Sequence, residues 1–382
     1  MAHRIDTKLI HAGEPSPRHQ GAVSLPIYQS ATFETTGEEK EYHEHRYARL
    51  SNTPNHLALH AKLAALEGAE AALVTASGMA AITTTLLALL RAGDHVLFHE
   101  VLYGGTRDFA SRDFEPLGLS SDSIDATDPS GWKEKLRPTT RVVYVETITN
   151  PTMQVAEHEA VVAFAREHGL VSVVDNTFAS PVNFRPAENG YDLSVHSATK
   201  YLNGHSDLIA GAVLGSDALI RKIALKLDHL GGSLDPHACF LLHRGIKTLA
   251  LRVRQQNASA LALARALEAH PAVERVHYPG LESSPSHQRA RRYLDGFGGM
   301  LAVSLAGGLE AARAFCSRIR LGIFAPSLGG VETLVTRPAE TSHSGMPRTQ
   351  REALGISDGL VRISVGIEAV EDLIEDFTRA LG

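Results

Sequence analysis

The chain has 382 residues, 43% hydrophobic and 21% charged, a balance that excludes a disordered polypeptide and is long enough for more than one core. Its formal net charge of −6 leaves no surplus of cations for a phosphate backbone, which excludes nucleic acid as an expected partner. Two cysteines, Cys239 and Cys316, make neither a disulfide framework nor a zinc pattern, and the start Met-Ala-His-Arg-Ile-Asp has no apolar signal core, so a cytoplasmic protein that does not enter a membrane is expected.

Residues 1–55 are rich in His, Pro, Gly and charge without sustained periodicity. They read as an N-terminal arm of irregular structure, of the kind that reaches a neighbouring subunit. From His56, Leu59, Leu63 and Leu66 share a helical face until Gly68 stops it. A strand over 71–75 follows, and Ser77-Gly78-Met79 opens a second helix striped by Ile82, Leu86, Leu89 and Leu90 and ended by Gly93. Apolar runs at 95–98, 142–145 and 171–174 then alternate with helical text such as 155–168, the signal of an α/β protein with a mainly parallel sheet. Strands over 192–196 and 208–214 flank the segment that contains Lys200. A helix around 247–270 leads into Gly-rich strands such as 300–305 and a last helix over 369–381. The expected organisation is an arm (1–55), a large domain (56–245) and a smaller C-terminal α/β domain (246–382).

Four places on this scaffold suggest chemistry. Lys200 ends Ser197-Ala198-Thr199-Lys200, with two hydroxyls close to an amine able to form an imine. Most lysines are solvated surface residues, so this segment needs support from elsewhere. Asp175 follows the apolar strand Val171-Ser172-Val173-Val174, which puts it at the carboxyl end of a parallel strand, where open α/β sheets bind ligands. A carboxylate there can hold a pyridine nitrogen protonated, although a loop cap with Asn176 and Thr177 would use the same residue. Ser77-Gly78-Met79 offers free N–H groups at a helix start to an anion, or simply caps the helix. Tyr103, in Tyr103-Gly104-Gly105-Thr106, offers a ring face for stacking on a planar cofactor.

Read in order, the strings resemble the cystathionine γ-synthase, γ-lyase and β-lyase (transsulfuration, Cys/Met metabolism) family of fold-type-I pyridoxal-5′-phosphate (PLP) enzymes. The matching text spans nearly the whole chain: His11-Ala12-Gly13, Pro26-Ile27-Tyr28-Gln29, Tyr47-Ala48-Arg49, Ser77-Gly78-Met79, Tyr103-Gly104-Gly105-Thr106, Thr149-Asn150-Pro151, Val174-Asp175-Asn176-Thr177-Phe178, the run from Ser197 through Lys200 to Asp207, Ser327-Leu328-Gly329-Gly330 and Leu360 to Gly366. The resemblance implies Lys200 as imine lysine and proton shuttle, Asp175 as partner of the pyridinium and Tyr103 as the stacked ring. It implies a phosphate held by Gly78, Met79, Ser197 and Thr199, with Tyr47 and Arg49 arriving from the adjacent subunit, and it counts Tyr47 with Lys200 and Tyr103 among the catalytic residues. Asn150 would lie near cofactor and substrate, Arg362 would clamp the α-carboxylate through its planar fork, and Ser327 and Arg107 would also meet the substrate. The implied assembly is a homotetramer of dimers with shared sites.

The implied activity is a lyase of sulfur amino-acid metabolism: γ- or β-elimination on cystathionine, homocysteine, methionine or a related amino acid, releasing a thiol, ammonia and a 2-oxo acid. γ-Replacement, of the cystathionine γ-synthase or O-acylhomoserine sulfhydrylase type, uses the same residues and stays open. Pro326 departs from the glutamate that many cystathionine γ-synthases and γ-lyases carry just before Ser-Leu-Gly-Gly. Ser197-Ala198-Thr199-Lys200 is also a literal S-x-x-K, but the S-D-N and K-T-G strings that serine acyl-transfer enzymes need are absent. A protein that binds PLP without catalysis would have no reason to keep both Lys200 and Arg362. No metal site is expected, since His95 and His99 bracket strand text, and Gly296, Gly298 and Gly299 miss the dinucleotide pattern.

Overall fold

The computed structural model describes residues 3–35, 37 and 41–382. The strands of the first 215 residues are β1 (Ala71–Thr75), β2 (His95–His99), β3 (Ser120–Ile124), β4 (Thr140–Glu146), β5 (Val171–Asp175), β6 (Leu193–His196) and β7 (Gly211–Gly215), of which β3, Ser-Ser-Asp-Ser-Ile, is not an apolar run. They form one seven-stranded sheet in the order β1-β7-β6-β5-β4-β2-β3. β3, β2, β4, β5 and β6 pair in parallel, and β7 is antiparallel to both β6 and β1.

The helices of this part are α1 (Ile5–His11), α2 (Pro54–Glu67), α3 (Gly78–Leu89), α4 (Gly104–Arg112), α5 (His158–His168), α6 (Ser180–Asn183), α7 (Asp217–Leu230) and α8 (Pro236–Ile246). Both faces of the sheet are covered, because side chains alternate along each strand and the central strands are apolar on both sides. Val143, Val145 and Val174 pack with Leu59 and Leu63 of α2 and Val161 of α5. Val142, Tyr144 and Val173 pack on the opposite face with Ile82 and Leu86 of α3 and Ile223 and Leu227 of α7.

A long helix, α9 (Leu249–Glu268), leads to a second sheet of β8 (Val273–His277), β9 (Met300–Leu305), β10 (Ile323–Phe324), β11 (Leu334–Thr336) and β12 (Leu360–Ser364). Its order is β10-β11-β12-β9-β8, antiparallel except for β10 with β11. Leu263 and Leu267 of α9 and Phe377 of the last helix, Val370–Leu381, close its core.

The structure differs from the sequence reading in three places. The first 55 residues are not wholly irregular: α1 docks on α2, burying Leu9. The Lys62 amine, itself buried, donates to the Leu9 carbonyl at 2.9 Å and lies 3.8 Å from the Glu14 carboxylate, which Lys247 reaches at 2.9 Å. Gly13 permits this close approach, since at φ +73° a Cβ would lie 2.1 Å from the Ala58 carbonyl oxygen. Helix α5 begins at His158 rather than 155, because the amides of Val155 and Glu157 are bonded to Ser286 and to the Ala126 carbonyl. The strand expected over 208–214 begins at Gly211, because Ala210 is held instead by the backbone and hydroxyl of Thr199.

Candidate active site

Parallel strands deliver their carboxyl ends to one edge of a sheet, and the residues there face a cavity of about 620 Å³. Asp175 is the last residue of β5 and Glu146 the last of β4. Lys200 lies in the turn between β6 and β7, Ser77-Gly78-Met79 opens α3, and Arg362 comes from β12 in the second sheet. Of the residues expected at the site, Gly78, Met79, Tyr103, Asn150, Asp175, Ser197, Thr199, Lys200, Ser327 and Arg362 line this one cavity.

The Lys200 amine donates to the Ser327 hydroxyl at 2.7 Å. Burial first, and then the Arg362 charge, bring it down to about 8 from the ordinary lysine value, so a useful fraction is the free, nucleophilic amine near neutrality. Asp175 accepts from the Thr177 amide at 3.0 Å and the Tyr144 hydroxyl at 3.4 Å. Burial raises its carboxyl, and the bonds from Thr177 oppose the rise.

Arg362 is buried, which pushes its guanidinium down to about 10. It donates to Asn150 Oδ1 at 3.2 Å and to the Ser327 carbonyl at 2.8 Å, while its buried Nε has no hydrogen-bond partner among the described residues. Ser327 therefore touches both the amine and the guanidinium, and it does so at φ +99°, where a non-glycine residue is strained by about 1–3 kcal/mol. Such strain is tolerated where the surroundings enforce a working geometry.

Opposite these groups, Ser77 caps α3 by accepting from the Ala80 amide at 3.0 Å. Gly78 cannot carry a side chain, since its Cβ would lie 2.8 Å from Ser197 Cβ, so bare backbone faces the cavity at a helix start suited to a phosphate. The Thr199 hydroxyl is engaged by Ala210, which leaves it only part of its bonding capacity for a ligand. Tyr103 is 43% exposed, and a Cβ on Gly105 would strike its ring at 2.7 Å, so that glycine makes room for the ring. Imine-forming amine, strand-end carboxylate, phosphate-suited helix start, ring and buried guanidinium together match the size and chemistry of PLP bearing an amino acid.

Three expected residues stand apart from this cavity. Arg107 is not in its lining; its Nη2 lies 3.2 Å from Asp108 and its buried Nη1 has no hydrogen-bond partner among the described residues. Tyr47 and Arg49 are also outside their own chain's cavity, with Arg49 donating to the Asp228 carbonyl and the Tyr42 hydroxyl. Glu146 was not anticipated, although the rule that finds Asp175 applies equally to it: an acidic residue directly after an apolar strand. Thr341 and Ser342 line the cavity from a loop that carries no local sequence signal.

The comparisons with known proteins agree with this geometry. Residues 6–382 match the family described as Cys/Met metabolism PLP-dependent enzyme. L-methionine gamma-lyase of Pseudomonas putida is 44% identical, covering 98% of this chain and 96% of its own. Cystathionine beta-lyase of Coxiella burnetii is 41% identical, covering 99% and 97%. The crystal structure of cystathionine gamma-lyase from Lactobacillus plantarum with L-serine superposes with a TM-score of 0.94 at 37% identity, covering 99% of this chain and 98% of that one. With nearly its whole length matched and its cavity furnished for that cofactor, the chain belongs to the Cys/Met metabolism family of PLP-dependent enzymes.

Proposed function

We propose that this enzyme is a carbon–sulfur lyase whose preferred substrates are sulfur amino acids with a small, uncharged distal group, such as methionine or homocysteine, giving a thiol, ammonia and a 2-oxo acid. One observation carries the preference. Of the ionisable side chains lining the cavity, Lys200 and Arg362 are cationic, Asp175 is assigned to the ring nitrogen and Glu146 is tied to the Tyr103 amide, and beside Ser327 stand Pro326 and Leu328, so the lining sets no carboxylate aside for a second ammonium.

When bound here, the cofactor supplies a protonated pyridine ring that acts as an electron sink for the substrate's α-carbon. The residues do the rest. Asp175 would keep the proton on the ring nitrogen, Tyr103 would cover the ring face, and Gly78, Met79, Ser197 and Thr199 would hold the phosphate. Arg362, with its free Nε–H, takes the α-carboxylate beside Asn150 and Ser327. Lys200 Nζ would take the α-proton, and where the leaving group is on the γ-carbon a β-proton would have to be removed as well before the thiolate departs. Tyr47 and Arg49 complete the phosphate site of a second copy, with the arm of residues 1–55 crossing between subunits. The large domain (56–245) holds the cofactor, the smaller one (246–382) the carboxylate clamp, and the assembly is a tetramer of such dimers. Among the described residues no helix is long and apolar enough to cross a membrane, in keeping with the cytoplasmic location we propose.

Cystathionine is the second reading, favoured by the unpartnered Nη1 of Arg107, which would suit a distal carboxylate. Comparison of kcat/KM for methionine, homocysteine, O-acetylhomoserine and cystathionine decides between them. The wild type is expected to favour the first three. Pro326→Glu should move the ratio toward cystathionine by about tenfold or more, the effect of one charged hydrogen bond. A strong wild-type preference for cystathionine that Pro326→Glu leaves unchanged would overturn the reading.

The lowered Lys200 value sets a pH expectation as well. Protein stripped of cofactor should take up PLP faster as pH rises through about 8, because only the unprotonated amine attacks, and the rate should level off above it. Stopped-flow absorbance across pH measures this. A rate still climbing toward the ordinary lysine value would show that burial does not tune the amine.

A further inference from the structure

Glu146 and Asp175 are register partners in the parallel ladder of β4 and β5, which puts both side chains on one face with their strands roughly 4.8 Å apart. Both are buried and both line the cavity. Their partners differ. Asp175 has the Thr177 amide and the Tyr144 hydroxyl, with His196 close enough to favour its charge. Glu146 is approached by two backbone groups: the Tyr103 amide donates to Oε1, and the Asn150 backbone also bonds to it. Among the described residues it makes no ion pair with a Lys, Arg or His. Two buried carboxylates this close do not both ionise readily. Burial first, and then the Asp175 charge, push Glu146 well above the usual carboxylate range.

We propose that Glu146 is a positioning residue that stands in the cavity as a neutral carboxylic acid, holding the Tyr103 and Asn150 loops together while leaving Asp175 the only anion beside the cofactor's ring nitrogen. Tyr103 is the residue before α4, and its backbone is tied at this point to the end of β4, 43 residues away. The carbonyl of the acid accepts the Tyr103 amide and so fixes where the ring lies. A charged Glu146 would compete with Asp175 for the ring proton and repel it. The inference rests on this cavity being the reaction centre, but its first readout needs no turnover.

That readout is infrared. At neutral pH the substrate-free holoenzyme should show a carboxylic-acid carbonyl band that shifts in deuterated water and is missing from Glu146→Gln. Absence of the band overturns the proposal whatever reaction the enzyme catalyses. The second readout is rescue. Glu146→Ala removes the acceptor and should lower kcat/KM about tenfold. Glu146→Gln, neutral and still able to accept the amide, should restore most of it with the pH profile of the wild type. If Glu146→Gln loses as much as Glu146→Ala, or its pH profile moves, the carboxyl proton or charge takes part in the chemistry and the positioning role is wrong. Should Glu146→Ala fail to fold, the infrared band and the Glu146→Gln pH profile still decide.

Discussion

Lys200→Ala is expected to lower kcat/KM by roughly a thousandfold or more while leaving the fold intact, because positioned proton transfer alone contributes about 10²–10⁴-fold and the covalent anchor is lost with it. The substitution removes a side chain from a turn, not from a strand or helix, and among the described residues Lys200 Nζ has one bond to lose, that to Ser327. The turn keeps its backbone bonds from Thr199 to Ala210 and from Gly204 to Lys200. The measurement is mass spectrometry after borohydride treatment: cofactor should be fixed to the wild type at Lys200 and to none of the mutant, and the yellow colour tied to that lysine should disappear. Cofactor fixed elsewhere in the mutant would end the assignment. The same variant tests the shared site. Mixed with Arg49→Ala subunits, it should regain activity in verified mixed oligomers, since one of the two sites in a hybrid dimer would be whole.

Arg362→Ala should be nearly as damaging, with kcat/KM lowered by about 10²–10⁴-fold for two charge-assisted bonds to a carboxylate at about 1.5–3 kcal/mol each. Arg362→Lys should recover little, because an ammonium cannot present a planar fork. A second signature separates this from general damage. The Arg362 charge helps to hold the Lys200 amine low, so removing it should raise that value above about 8 and move the pH dependence of PLP uptake upward. The shift is partial, since burial is the larger cause. An amine that titrates unchanged in Arg362→Ala would show that the two groups do not sense each other.

How much of this was legible in the sequence varies with how local the cause is. The apolar strand before Asp175 and the cap before Gly78 are local, and position alone suggests both residues for ligand binding. Lys200 is weaker, and its neighbours on the chain do not reveal that it meets Ser327, 127 residues away. Arg362 sits within an apolar strand, and only the family resemblance gave it a role; its bond to Asn150 spans 212 residues. Arg107 was placed with the substrate because it follows the Tyr-Gly-Gly-Thr string. Arg107 lies on α4, which begins at Gly104, and its side chain is not among those lining the cavity. Helix α1 escaped notice because its seven residues are too few for a period to show. Glu146 is missed because the apolar run reads as a strand over 142–145 and the strand-end rule is applied only to Asp175.

The contact between Lys200 and Ser327 also orders events in time. A ribosome releases the lysine turn long before Ser327 and Arg362, and contacts so distant in sequence close late in folding. Until then the amine lacks its bond to Ser327 and the nearby Arg362 charge that helps to lower it. The Ser327 contact and the Arg362 share of the lowered value are thus missing from the nascent chain and appear only when β12 and the segment before β11 have joined the site.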